Sequence, residues 1–134
     1  MKYLLDTNTC IRYMNGRAPQ LIAKIRTIPA REIIVCSIVR GELAFGAAKS
    51  QTREASLAKH HRFLKPYESL PFDDHAVTYY GVIRATLEKR GTPIGSNDLL
   101  IAAIALSRDL TLVTHNTREF GRVDGLKLED WEDY

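Results

Sequence analysis

The chain has 134 residues, of which 45% are hydrophobic and 26% are charged, and its formal net charge is +3. These proportions are typical of a globular protein and exclude a disordered or fibrous chain. The length suits one domain with its own hydrophobic core, so we predict a single domain spanning residues 1–134.

The predicted elements alternate between strands and helices along the chain. Short apolar runs predict strands near residues 3–5, 33–36, 69–72, 110–114 and 126–128, of which the third is weak and the last is an edge strand. Helical spacing and capping signals predict helices near residues 7–14, 19–28, 38–49, 54–64, 74–90, 99–106 and 117–120. Ser37 is the expected N-cap of the third helix.

The strands are continuous apolar runs rather than alternating ones, which is typical of a parallel sheet covered on both faces. We therefore predict an α/β fold in three layers, with a central parallel sheet of four or five strands flanked by helices. Right-handed crossovers place the carboxyl ends of such strands along one edge, which is where ligands bind in these sheets.

The two cysteines, Cys10 and Cys36, lie in apolar periodic stretches, so we expect buried free thiols in a reducing compartment. The longest uninterrupted apolar run, Leu99 to Leu106, is much shorter than the roughly 20 residues that cross a bilayer. The N-terminal apolar run is too short for a secretory signal. We therefore predict a cytoplasmic protein that does not enter a membrane.

Basic residues are concentrated in the first half of the chain. Residues 1–65 contain 12 Lys and Arg against four Asp and Glu, whereas residues 66–134 contain seven against 12. A basic half favours a surface that faces a polyanion such as nucleic acid. A solvated helix face gives the same composition, so charge alone leaves both interpretations open.

Several carboxylates follow strands or begin helices on the predicted sheet. Asp6 follows the first strand, Glu42 lies one turn into the helix after the second, and Asp98 begins the apolar helix near residues 99–106. Glu119 lies one turn beyond the strand near residues 110–114. Asp6 and Asp98 could instead serve only as helix caps, but their places in the fold bring them to the same edge as Glu42.

Glu42 is predicted to share a helical face with Ile38 and Phe45, which would partly remove its carboxylate from water. Such burial is unfavourable unless a cation or hydrogen bonds satisfy the group. Arg40 is two residues away and does not face it on a helix. The position of Glu42 therefore favours a functional role over a structural one.

Carboxylates held close together repel each other and normally share protons or bind a hard cation. Oxygen-only ligands predict Mg²⁺, or Mn²⁺, rather than Zn²⁺. Since Mg²⁺ is usually shared between carboxylates and a phosphate group, a phosphate ester is the expected substrate. The polar residues Asn8, Ser37, Thr114 and Asn116 are expected to support the carboxylates or position the substrate, and His115 to lie near them.

Four segments of the chain resemble, in order, the motifs of the PIN domain. They are residues 4–8, residues 35–43 with Gly46, residues 94–103 and residues 112–120. Each motif alone is weak, but four in order with plausible spacing cover essentially the whole chain. The resemblance implies a PIN-like fold and a Mg²⁺-dependent endoribonuclease.

The resemblance is greatest to VapC, the toxin family of bacterial type II toxin–antitoxin pairs. It implies a homodimer and a cognate antitoxin that occupies the acidic groove. Residues 114–120, with Gly125-Leu126 and residues 129–131, resemble the branch that cleaves initiator tRNA.

By motif match, Asp6 and Asp98 would be the principal metal ligands, and Glu42 would complete the acidic cluster. Asn116 departs from the pattern, since many PIN domains have Asp there. Glu119 is the candidate substitute at this fourth position, which leaves the number of metal ions, one or two, open.

Two other functions are compatible with parts of the sequence. A non-enzymatic nucleic-acid-binding partner within a repressor complex would explain the basic half, but converging carboxylates would repel phosphate without a cation. A phospho-acceptor of the haloacid-dehalogenase type would require a second Asp two residues after Asp6, where Asn8 stands.

Overall fold

The computed structural model describes residues 2–132, which form four strands and seven α-helices. The strands are β1 (Tyr3–Leu5), β2 (Ile33–Ile34), β3 (Thr111–Val113) and β4 (Lys127–Glu129). The helices are α1 (Thr7–Asn15), α2 (Pro19–Thr27), α3 (Ser37–Ala48), α4 (Arg53–Leu64), α5 (Asp74–Arg90), α6 (Ser96–Ser107) and α7 (Thr117–Phe120). A 3₁₀ turn at Ala30–Glu32 precedes β2.

The four strands form one parallel sheet in the order β2-β1-β3-β4. In the two central strands, Leu4 is aligned with Leu112, and on the other side of β1 it is aligned with Ile34. Leu4 and the following Leu5 are both fully buried, and successive residues of a strand point to opposite faces. Helices therefore cover both faces of the sheet, and the predicted layered α/β fold is confirmed.

The helices begin and end where local sequence favours it. The carboxylate of Asp73 caps α5 by accepting the N–H of Ala76 at 3.1 Å, and Gly91 ends that helix at φ 71°, a left-handed conformation that suits glycine. The apolar helix α6 packs mainly against α5 and also contacts α3 and β3, which explains why it has no polar face.

The prediction of Ser37 as the N-cap of α3 is wrong. Cys36 occupies that position, and its carbonyl already accepts the N–H of Arg40 at 3.0 Å. Ser37 is instead the first helical residue and is exposed. The strand before it ends at Ile34, two residues earlier than predicted, so the chain turns into the helix sooner.

The weak strand predicted at residues 69–72 is also absent from the sheet. This segment runs beside β2, where Val35 donates its N–H to the carbonyl of Glu68 at 3.0 Å and Ser37 donates to Leu70 at 2.9 Å. The carbonyl of Val35 accepts the Nε–H of Arg40 at 2.7 Å rather than an N–H of this segment. Only an isolated bridge between Ile34 and Glu68 remains.

Two further sequence predictions concern the environment of the protein. No helix within residues 2–132 combines the length and apolar character needed to cross a bilayer. Cys10 and Cys36 are free and buried, as predicted.

A substitution at Leu4 tests whether β1 lies in the core, because the side chain of Leu4 is fully buried. We expect Leu4→Ala to lower the free energy of unfolding by about 2–5 kcal/mol, through lost apolar burial and a residual cavity. Urea denaturation measures this loss. Val82→Ala, which truncates an exposed apolar side chain on α5, is the control and is expected to change stability little. Equal losses in the two variants would contradict the assignment of Leu4 to the core.

Candidate carboxylate centre

Asp6 lies at the carboxyl end of β1 and is held by hydrogen bonds from two elements. Its Oδ1 accepts the backbone N–H of Thr9 at 2.8 Å, so Asp6 is also the N-cap of α1. Its Oδ2 accepts the hydroxyl proton of Thr114, the residue that follows β3. Burial raises the pKa of Asp6, and the hydrogen bonds from Thr114 and Thr9 oppose that rise.

Glu42 is half-buried on α3, where the hydroxyl of Thr7 donates to its Oε1 at 2.6 Å. This bond joins the first turn of α1 to α3. Phe45, predicted to lie on the same helical face as Glu42, is 65% exposed. The predicted partial burial of Glu42 is observed, but beside α1 rather than beside a buried Phe45. Arg40 does turn away, donating to the carbonyls of Val35 and Tyr67.

Asp98 lies in the first turn of α6, in contact with Glu119 of α7. Burial, the hydrogen bond with Glu119 and the neighbouring negative charges raise the pKa of Asp98 to about 7. Glu119 accepts the N–H of Gly95 at 2.8 Å and the side-chain amide of Asn116 at 2.9 Å, which lower its pKa. The proton shared by the two carboxyl groups therefore stays on Asp98.

These side chains border a cavity of about 220 Å³, which we call the acidic cavity. Its walls are formed by Asp6, Thr7, Asn8, Glu42, Asp98, Asn116 and Phe120. Thr114 and Glu119 lie outside these walls, and each contacts one of the wall carboxylates, Asp6 and Asp98 respectively. Ser37 also lies outside them, and its hydroxyl makes no hydrogen bond to a carboxylate within residues 2–132.

The acidic cavity lacks an internal counter-charge. Within the described part of the chain, no Lys, Arg or His forms an ion pair with Asp6, Glu42, Asp98 or Glu119. Clustered carboxylate oxygens with amide and hydroxyl oxygens beside them are the donor set that a hard divalent cation takes. The residues present therefore fit such an ion.

Two contributors were not found from the sequence. The sequence places Thr7 only at the start of a helix, since its link to Glu42 depends on how α1 and α3 pack. Gly95 lies so close to Asp98 that an added Cβ would stand 3.2 Å from Oδ2 of that carboxylate. The signal that the sequence offers for it is its place within the motif at residues 94–103.

A profile of the family described as PIN domain matches residues 3–126. The chain belongs to the PIN domain family, among the VapC ribonucleases. It is 40% identical over 131 residues to the tRNA(fMet)-specific endonuclease VapC of Salmonella typhimurium, covering 98% of both chains. It is also 40% identical to ribonuclease VapC2 of Rickettsia felis, covering 98% of this chain and 99% of the relative.

Solved structures have the same PIN fold. VapBC2 of Rickettsia felis, bound to a DNA fragment from its promoter, superimposes with a TM-score of 0.92 at 38% identity, covering 98% of this chain and 99% of that one. VapBC-1 of nontypeable Haemophilus influenzae superimposes with a TM-score of 0.91 at 35% identity, covering 99% and 100%.

The raised pKa of Asp98 predicts a pH-dependent stability in metal-free buffer. The folded protein holds this proton up to about pH 7, whereas the unfolded chain releases it near pH 3.8. Asp98 therefore favours the folded state at low pH, and that contribution is lost as pH rises through about 7. We expect the stability of Asp98→Asn relative to wild type to increase across this window, as measured by thermal denaturation with EDTA present.

Asp124 provides a control of opposite sign, because Arg90 lowers its pKa. Asp124→Asn is expected to lose stability relative to wild type as pH rises, by a small amount since the pair is exposed. A pH-independent difference between Asp98→Asn and wild type would contradict the shifted carboxyl group.

Proposed function

We propose that this PIN domain, as a single domain over residues 1–134, is a Mg²⁺-dependent endoribonuclease that hydrolyses a phosphodiester bond in RNA. The observation that carries the proposal is the convergence of Asp6, Glu42 and Asp98 on one cavity, with Glu119 in contact with Asp98. Within residues 2–132 none of these four carboxylates forms an ion pair. Initiator tRNA is the proposed substrate, supported by the name of the Salmonella relative at 40% identity.

Asp6 and Asp98 are the proposed ligands of the cation, with Glu42 completing the acidic wall. Mg²⁺ suits these oxygen donors, and Mn²⁺ is an alternative of the same kind. When bound, the ion would supply charge stabilisation at the phosphate and a more acidic water for attack. Glu119 takes the fourth position through its contact with Asp98, rather than through the cavity wall.

The other residues fix these groups in place. Thr114 and the N–H of Thr9 orient both oxygens of Asp6, and the hydroxyl of Thr7 orients Glu42. Asn116 holds Glu119 through its amide. Asn8 and Asn116 also border the cavity, where their neutral side chains can donate hydrogen bonds to a phosphodiester that the carboxylates would repel.

We further propose a cognate antitoxin as partner, a homodimeric assembly and a cytoplasmic location. The solved VapBC relatives support the first, and the free buried thiols of Cys10 and Cys36 support the last. A second candidate function, participation in a DNA-bound repressor complex, is favoured by the DNA fragment in the Rickettsia felis structure and is compatible with catalysis.

Replacing a proposed ligand should abolish cleavage without unfolding the protein. We expect Asp6→Asn and Asp98→Asn to lower the rate of Mg²⁺-dependent cleavage of initiator tRNA by about a hundredfold or more, since each removes a charge from the ion's site. Cleavage is followed by gel electrophoresis, and folding by circular dichroism. Asp74→Asn, an exposed acid at the start of α5, should leave the rate unchanged. Full activity in both site variants would overturn the assignment.

A change at Thr114 tests whether the hydrogen bond that orients Asp6 matters, while the charge of Asp6 is kept. Thr114→Val keeps the side-chain shape but removes the hydroxyl that Asp6 accepts, so we expect a loss of about 10- to 100-fold in activity or in apparent Mg²⁺ affinity. A Mg²⁺ titration of the cleavage rate measures both. Thr27→Val, which removes a hydroxyl bonded only to the local carbonyl of Lys24, is the control. An unchanged titration for Thr114→Val would exclude this role.

A further inference from the structure

A second cavity, of about 460 Å³, adjoins the acidic cavity. The two share Asp6, Asn8 and Asn116, and the remaining walls of the second are Ile11, Arg12 and His115. Its volume is in the range of ligand-binding pockets. A phosphodiester at the acidic cavity joins two nucleotides, so one of its neighbours needs a place beside it.

Arg12 and His115 bring positive charge to the border of an otherwise acidic region. Arg12 uses Nε to pair with Glu132, and its two Nη groups make no hydrogen bond within residues 2–132. His115 pairs through Nδ1 with Asp130 at 2.8 Å, which raises the pKa of His115. The side chains of Arg12 and His115 are 45% and 63% exposed, so both remain accessible to a ligand.

The acids that hold these cations lie on an anchored segment, residues 129–132, which we call the C-terminal segment. Trp131 is buried, its ring meets that of Tyr3 edge-on at a centroid distance of 5.0 Å, and its Nε1 donates to Glu129 at 2.9 Å. Asp130 accepts the N–H of Glu132 at 2.9 Å. Two fixed carboxylates therefore orient the guanidinium and the imidazole before any ligand arrives.

We propose that Arg12 and His115 bind the phosphate of the nucleotide next to the scissile bond, with the partly exposed Ile11 against its sugar or base. The inference rests on the proposed ribonuclease function and adds to it the groups that hold the substrate strand. Arginine is suited to this role because its free Nη donors match two phosphate oxygens.

A metal ion at the same place is a less favourable interpretation. Ligand atoms of His115, Asp130 and Glu132 do lie within 4.8 Å of one another. However, Glu132 already forms an ion pair with the guanidinium of Arg12, and that positive charge would repel a cation bound there.

Binding of a fluorescein-labelled initiator tRNA transcript, measured by anisotropy with Mg²⁺ in a full-length Asp98→Asn background, tests the proposal without turnover. We expect Arg12→Gln to weaken binding about tenfold and to lower the salt dependence by about one phosphate contact. His115→Gln should act in the same direction. Arg90→Gln is the matched control, because Arg90 is also paired with an acid and 51% exposed but lies away from both cavities.

Glu132→Gln separates a contact with RNA from a structural role. It removes the negative charge of the ion pair but keeps a side-chain oxygen that can accept the Nε–H of Arg12, so the cation stays oriented and we expect RNA binding to be unchanged or stronger. If Arg12 serves only to hold the C-terminal segment, Glu132→Gln will weaken binding as Arg12→Gln does, and the proposal is overturned. It is likewise overturned if Arg12→Gln loses no more affinity than Arg90→Gln. Fluorescence of Trp131 reports whether the segment stays in place.

Steady-state cleavage with Asp98 intact provides the second measurement. We expect Arg12→Gln to raise KM about tenfold while kcat is largely kept, because the lost contact is present before and during reaction. A fall in kcat at constant KM would contradict a binding role. If the wild type cleaves no RNA, the proposed function fails, and the anisotropy comparison still decides whether Arg12 and His115 bind the strand.

Discussion

The parallel pairing of β1 with β3 is the contact on which the rest of the site depends. It aligns the carboxyl ends of the two strands, so that Asp6 donates its N–H to the carbonyl of Val113 at 3.1 Å. The side chain of Thr9 reaches the same carbonyl from the first turn of α1. Because strand and helix are both tied to β3, the chain that leaves β1 carries Thr7 and Asn8 directly into the acidic cavity.

The negative charges of the carboxylates repel each other, and hydrogen bonds or protonation reduce this repulsion in a different way at each position. Asp6 is buried but accepts two hydrogen bonds, and Glu42 accepts one from Thr7. Glu119 receives two N–H donors and remains the ionised member of its pair. Asp98 has the raised pKa and takes the proton. The folded chain thus limits its own repulsion by protonating one group, and that group is the one whose charge a divalent cation would restore.

The sequence predicted much of this arrangement because strand ends and helix starts are readable locally. Asp6 illustrates this, because the same side chain caps α1, as one interpretation predicted, and borders the acidic cavity, where the other placed it. The same local signals failed at Ser37, because α3 begins one residue earlier than predicted and Cys36, in an extended conformation, takes the N-cap position.

What could not be predicted depends on packing between distant segments. The bond from Thr7 to Glu42 requires the contact of α1 with α3, and that of Gly95 with Glu119 requires α7 to lie beside the start of α6. Arg12 is another case, because nothing near it in sequence indicates that Glu132, 120 residues later, will hold it. The acidic composition of residues 129–134 is typical of a solvated tail, whereas Trp131 within this segment is buried. Asp133 and Tyr134 lie outside the described residues.

The distance along the chain between Asp6 and Thr114 also has a consequence for synthesis of the protein on the ribosome. A nascent chain that has not yet emerged as far as β3 has no partner for the open edge of β1 and no hydroxyl for the Asp6 carboxylate. Long-range pairing of this kind is completed late, since loop closure over more than a hundred residues must precede it. The acidic cavity is therefore completed only after β3 and the residues that follow it, which supply Thr114 behind Asp6 and Asn116 and Phe120 in the cavity wall, have been synthesised.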